Sequence, residues 1–158
     1  MKPIHYLFFA LVAFVIPFGI TLLIGNQVVQ NIVLAIFLIQ WIAFIPAYAL
    51  QTEKFYDLTG SITYTSVFAY CIYLALSQTI NWGSIIISVL VIVWALRLGS
   101  FLFLRISNDG EDKRFRTIKP SFTQFFMTWT LQGTWVSLCS LCAITAVSYT
   151  HLTLPTKA

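Results

Sequence analysis

The chain has 158 residues, of which 59% are hydrophobic and 9% charged, with a formal net charge of +4. Soluble domains carry roughly 25% charged residues, so the composition excludes a soluble globular domain and marks an integral membrane protein. The basic excess does not point to nucleic acid, because Lys and Arg sit at the ends of apolar runs, as topology determinants do.

The first apolar run, Ile4 to Ile24, is long enough to cross a bilayer with some tilt. It lacks a clear small-residue cleavage site and continues into more membrane sequence, so it reads as a span and not as a signal peptide. Lys2 precedes it, His5 sits at its interface, and Pro17 and Gly19 predict a local kink. A second span, Asn31 to Leu50, carries Gln40 and Trp41 near its middle, and Pro46 bends its exit. The polar loop Gln51 to Ser61, QTEKFYDLTGS, holds Glu53, Lys54 and Asp57. Its DLTG reads as a turn in which Gly60 supplies a positive φ and Thr59 or Ser61 caps the next helix. Span three, Ile62 to Ser77, is shorter. Ser66, Tyr70, Tyr73 and Ser77 recur at helical spacing, giving a hydroxyl face suited either to lining a cavity or to hydrogen bonding between helices.

After the link QTINWG, span four runs from Ser84 to Ile106 and passes into SNDGEDKRFRTIKP. NDG is a turn signal. Arg114 and Arg116 alternate, so an extended segment would point them the same way. Ser121 opens span five with a capping-box pattern completed by Gln124, and Gln124, Thr128 and Gln132 follow four apart as a polar stripe. Cys71, Cys139 and Cys142 all lie in apolar segments. The CxxC of the last two lacks companion soft ligands, so no metal site is expected and the cysteines read as small core-facing residues kept reduced.

Basic residues fall before span one, between spans two and three, and around the exit of span four, whereas the links after spans one and three have none. Over about five crossings, that alternation places the N-terminus and both charged loops on the cytoplasmic side, where the loops can meet. The fold class is all-α, a polytopic membrane helix bundle of about five transmembrane helices.

Arg97 is the charge that this pattern does not absorb. It lies about nine residues, or ~13 Å of helix, inside the cytoplasmic end of its span, too deep for snorkelling alone to free it. A charge at that depth costs about 2.5–3.5 kcal/mol even on the lenient insertion scale. Arg97 is therefore expected to face the bundle, paired with Glu53 or Asp57 or directed into a polar cavity shared with the Gln124–Thr128–Gln132 stripe. Arg105, eight positions on and only about 80° round the helix, would border the same cavity. For Arg105, Lys113, Arg114, Arg116 and Lys119, simple positive-inside anchoring is the competing explanation. Tyr56, Tyr70 and Tyr73 are proton-donor candidates near the interface.

Four stretches together resemble a bacterial membrane family related to the steroid 5-alpha reductases: EKFYDLTGS at Glu53 to Ser61, WALRLGSFLFLRI at Trp94 to Ile106, DKRF at Asp112 to Phe115, and FFMTWTLQGTWV at Phe125 to Val136. They cover most of residues 40 to 137. The resemblance implies the N-terminal part of a larger reductase-like bundle and an oxidoreductase on CH–CH groups. In that family hydride passes from NADPH to an activated carbon–carbon double bond of a lipid or steroid-like substrate, while an acid or proton donor polarises the conjugated carbonyl. On this basis Glu53, Tyr56 and Asp57 are the catalytic candidates. Arg97, Arg105, Arg114 and Arg116 are the candidate holders of the cofactor phosphates.

The implied partners are membrane lipid and a lipid-like small molecule, in the bacterial inner membrane. The same broad fold includes isoprenylcysteine methyltransferases, which use S-adenosylmethionine; the DLTG and RLG pieces favour the reductase side. A non-catalytic scaffold whose polar stripes serve only packing is the other reading. The wider family's Asn/Asp-rich stretch and Arg–His–Pro–Tyr-like segment do not occur here, and SYTHLTLPTKA, Ser148 to Ala158, resembles translated sequencing-adapter read-through. The expectation is a transmembrane domain over residues 1–147, cut near Val147 and inactive alone. Residues 148–158 would then be a non-native tail whose His151 and Lys157 take no part in a site.

Overall fold

Five long helices and one short 3-10 turn, Lys113–Arg116, make up the computed structural model, which describes residues 3–77 and 82–149. The helices are α1 (Pro3–Ile24), α2 (Gln27–Ala49), α3 (Tyr56–Ser77), α4 (Trp82–Asp109) and α5 (Phe122–Tyr149). The first four are each long and apolar enough to cross a membrane, and α5, as long as α4 at 28 residues, packs among them. The protein is an all-helical, multi-pass membrane protein. Lys2, the Gln78 to Asn81 part of the link after α3, and positions 150–158 with His151 and Lys157 lie outside the described residues; α5 runs through the first two positions of the expected tail.

Local chemistry accounts for several helix ends. Asn26 caps α2, its side-chain oxygen accepting from the Val28 and Val29 amides at 2.9 and 3.3 Å. Ser121 caps α5 through the Gln124 amide at 3.4 Å. The NDG signal holds: Gly110, at φ +80°, follows the last residue of α4.

The expected DLTG turn does not form. α3 begins at Tyr56, six residues earlier than its apolar run, and Gly60 lies inside it without a positive φ. Asp57 in the first turn suits the positive end of the helix dipole. The glycine serves packing: a Cβ there would overlap Gln132 Nε2 of α5.

α3 packs most extensively on α4, and α5 packs on α1, α2 and α3 but little on α4. α1 meets α5 through a stripe of small residues, Ala10, Ala13, Pro17 and Thr21, all buried, and Thr134 Oγ1 donates to Ala13 O at 2.7 Å. At mid-bundle Gln40 is fully buried and donates to Thr63 Oγ1 at 2.8 Å. One apolar cluster joins Val29, Ile32, Ile36, Phe68 and Val136; a second, at the charged end, joins Phe44, Phe115, Phe125 and Trp129.

Two side-chain expectations are corrected here. The Ser66–Tyr70–Tyr73–Ser77 face of α3 is exposed, and the inward face belongs to Thr59, Thr63, Tyr64 and Val67. Ser66 and Tyr70 border a lateral groove against α2. Cys139 and Cys142 are exposed while Cys71 is buried, because Val136, Ser137, Ser140 and Ile144 occupy the inner face of α5.

The α3–α4 contact is the tightest of the bundle's seams. A Cβ on Gly99 would overlap the Ser61 side chain, whose hydroxyl donates to Ala95 O at 2.6 Å. Gly99→Ala should lower stability by about 1–3 kcal/mol through overpacking. Gly19→Ala, where nothing lies within 4 Å, should be neutral or gain about 0.5–1 kcal/mol from helix propensity. Thermal unfolding of the two variants in detergent checks the contrast.

Candidate functional site

Because α4 and α5 both lean on α3 yet barely touch each other, a wedge-shaped cavity of about 460 Å³ opens between them. Leu98, Leu102, Leu131, Trp135 and Val136 give it a mainly apolar wall. Tyr56, Asp57, Ser61, Tyr64 and Gln132 add polar groups, and an apolar pocket with a few convergent polar groups is the usual form of a small-molecule site. Asp57, Ser61 and Tyr64 stand at i, i+4 and i+7 on one face of α3.

Several of these groups also fix the wall. Tyr56 Oη donates to Thr128 O at 3.1 Å and Gln132 Nε2 donates to Tyr56 O at 2.9 Å. Tyr64 Oη and Gln132 Oε1 are buried without a hydrogen-bond partner among the described residues; the Cys139 thiol is the polar neighbour of Tyr64. Asp57 enters no ion pair among the described residues, with Arg105 and Arg114 as its cationic neighbours.

Below the cavity, the two charged loops are clasped through Glu53, which is 5% exposed. Lys119 Nζ donates to its Oε2 at 2.6 Å and the Asp112 amide to its Oε1 at 2.9 Å. Burial works against the Glu53 charge, but these bonds outweigh it and hold the carboxyl below its ordinary value. Asp112 is likewise held low, by the Arg114 guanidinium, which reaches its Oδ2 at 2.5 Å. Arg116 pairs with Glu111. Between the two arginines of the 3-10 turn, Phe115 inserts into the core against Tyr56, with ring centroids 5.2 Å apart. A polar concavity of about 710 Å³ lies alongside, bordered by Arg105, Lys113 and Arg114 and by Asp109, Glu111 and Asp112.

The structure therefore divides the expected site residues. Tyr56 and Asp57 line the cavity together; Glu53 does not line it and serves the loop clasp. Arg105 and Arg114 share the concavity, and Arg116 is held apart on Glu111. Arg114 and Arg116 do not point the same way, because they sit on a 3-10 turn, where positions two apart diverge by about 240°.

Arg97 is the main correction. It is exposed, in a shallow groove with Trp94, Leu98 and Phe101, and pairs with neither Glu53 nor Asp57. The cause is geometric: the buried seam of α4 runs through Ala95 and Gly99, and Arg97 is two residues, about 200°, from each. Tyr70 and Tyr73 are also exposed, away from the cavity. Tyr64 was missed as a site residue, although its i+7 spacing from Asp57 was the signal that could have found it.

The profile of the family described as "Protein of unknown function (DUF1295)" matches residues 43–156, and the chain belongs to that family, which lies in the steroid 5-alpha reductase-like superfamily. No curated protein and no solved structure matches the chain.

The clasp makes stability depend on pH. Glu53 and Asp112 are held below their ordinary 4.5 and 3.8, so their contribution is full above those values and is lost as pH falls through the lower folded ones. The unfolding temperature in detergent should drop on acidification below 4.5, and Glu53→Gln should flatten that dependence. At neutral pH, Lys119→Met should cost about 1.5–3 kcal/mol by stranding the buried carboxylate.

Proposed function

We propose that this DUF1295 family member forms part of a membrane-embedded reductase, an oxidoreductase on CH–CH groups that uses NADPH to saturate a carbon–carbon double bond in a lipid or steroid-like substrate. In this reading it works in the bacterial inner membrane with its charged loops on the cytoplasmic side. The observation that carries the reading is the wedge cavity, apolar over most of its wall and furnished with Tyr56 and Asp57.

The chain's own residues have three tasks. The apolar wall holds the hydrocarbon body of the substrate and excludes water from the reacting carbons. A conjugated carbonyl that gains electron density needs a hydrogen-bond donor, and the neighbouring carbon needs a proton. Tyr56 Oη, whose one proton goes to Thr128 O, and Tyr64 Oη, buried without a partner among the described residues, are the hydroxyls of the lining residues. Either must turn toward the cavity to donate to a substrate, and Asp57 stands next to Tyr56. Glu53 acts as a positioning residue: its carbonyl accepts from the Tyr56 amide at 2.9 Å, and its carboxylate locks the loop from which Tyr56 emerges.

NADPH supplies the hydride when bound. The residues fit its phosphate end in part. Arg105 and Lys113 border the polar concavity without a direct ion pair among the described residues, and they are the positions proposed to hold phosphate. Arg114 and Arg116 are already committed to Asp112 and Glu111.

A non-catalytic scaffold is the second reading. It is favoured by the fact that Tyr56 Oη, Ser61 Oγ and Gln132 Nε2 all bond to backbone carbonyls across helix seams, as packing alone requires.

Two readouts in lipid nanodiscs separate these readings. An enone steroid should quench the fluorescence of Trp94 and Trp135 on the cavity wall. With deuterium-labelled NADPH, the saturated product should carry the label, and Asp57→Asn should lower turnover by about 10²-fold or more while Lys54→Ala, at an exposed loop position, leaves it unchanged. Absence of quenching in the wild type, which needs binding and not turnover, would leave the scaffold reading.

A further inference from the structure

Arg97 poses a problem of charge balance that the cavity does not solve. It is exposed on the outer face of α4, the candidate span with the smallest buried share, 17%. It lies about 12 Å of helix deeper than Arg105 and about 18 Å from Asp109 at the helix end. Its stem can lift the guanidinium part of that distance toward the interface. Without an anion the remaining depth is costly.

No carboxylate among the described residues meets that need. Among the described residues, Asp57 and Asp109 are the only acids in the five helices. Asp109 is at the charged end of α4, and Asp57 is turned to the cavity with Arg105 and Arg114 as its cations. A second copy packed against α4 would bring no other acid to this level. The remaining anion at hand in a bilayer is a lipid phosphate.

The groove around Arg97 suits such a ligand. Trp94, Leu98 and Phe101 line, together with Arg97, a depression of about 230 Å³. A guanidinium binds phosphate through paired hydrogen bonds, and the apolar side chains offer a bed for the acyl chains. A zwitterionic headgroup brings its own cation, so net neutralisation of Arg97 selects an anionic one. We infer that the Trp94–Arg97–Phe101 groove is a binding site for an anionic phospholipid, separate from the wedge cavity on the other side of Trp94 and Leu98.

The test is titration of the delipidated protein with brominated phosphatidylglycerol or brominated phosphatidylcholine, read by tryptophan quenching. The wild type should prefer phosphatidylglycerol by about five-fold, the effect of one charge near an anionic headgroup. Arg97→Gln should abolish the preference, Arg97→Lys should keep part of it, and Lys54→Gln, at an exposed loop position, should retain it in full. The inference is overturned if the wild type does not discriminate, or if folded Arg97→Gln keeps the preference. It is also overturned if Lys54→Gln loses the preference as completely as Arg97→Gln, since a general surface potential would then explain it. Cross-linking through a cysteine placed at Phe101 that captures a second copy in phosphatidylglycerol bilayers would equally overturn it.

Discussion

The Ser61 hydroxyl reaches Ala95 O at 2.6 Å because Gly99 leaves it room. That contact draws α4 onto α3, and a matching absence of side chain at Gly60 admits Gln132 from α5. With both neighbours drawn to α3 and few contacts between them, a wedge remains open. In a bilayer no hydrophobic force drives helices together, so close packing of small residues and interhelical hydrogen bonds set the geometry. The same two devices place Tyr56, Asp57 and Tyr64 along the wedge.

The charges at the end of the bundle serve a different purpose. Glu53, Asp112, Arg114 and Lys119 form a clasp between the loops that follow α2 and α4, and Phe115 pins the second loop into the core. A buried carboxylate with a lysine and an amide on its two oxygens is satisfied. It adds little chemistry to the cavity and a great deal of definition to the loop that presents Tyr56. The cations left without direct partners at this end, Arg105 and Lys113, are therefore the ones with capacity for an anionic ligand.

Much of the fold was legible in the sequence. Apolar runs located the helices, NDG located the end of α4, and Lys and Arg placement brought the charged loops to one end, where Glu53 and Lys119 meet. DLTG was misread because glycine signals a turn in soluble chains but close approach in membrane helices. Its neighbours Asp57 and Ser61 belong to the first turns of α3. The polar stripe of α5 was legible and Gln132 does reach the cavity, whereas the regular hydroxyl stripe of α3 faces outward and Tyr64, off that stripe, lies on the inward face. Arg97 was assigned inward on the energy of a charge in lipid, an argument that says a partner is needed and not which side of the helix it occupies. Only the position of the Ala95–Gly99 seam decides that.

The proposed reductase requires the wedge between α3, α4 and α5 to receive a lipid-like substrate. Photolabelling in nanodiscs with a diazirine-bearing enone lipid, followed by peptide mapping, tests it most directly. Adducts should concentrate on the cavity faces of α3, α4 and α5, at positions such as Tyr64, Leu98 and Trp135, and should be removed by excess unlabelled enone. Adducts spread over lipid-exposed positions such as Leu22 and Leu23 of α1, and insensitive to competition, would contradict it.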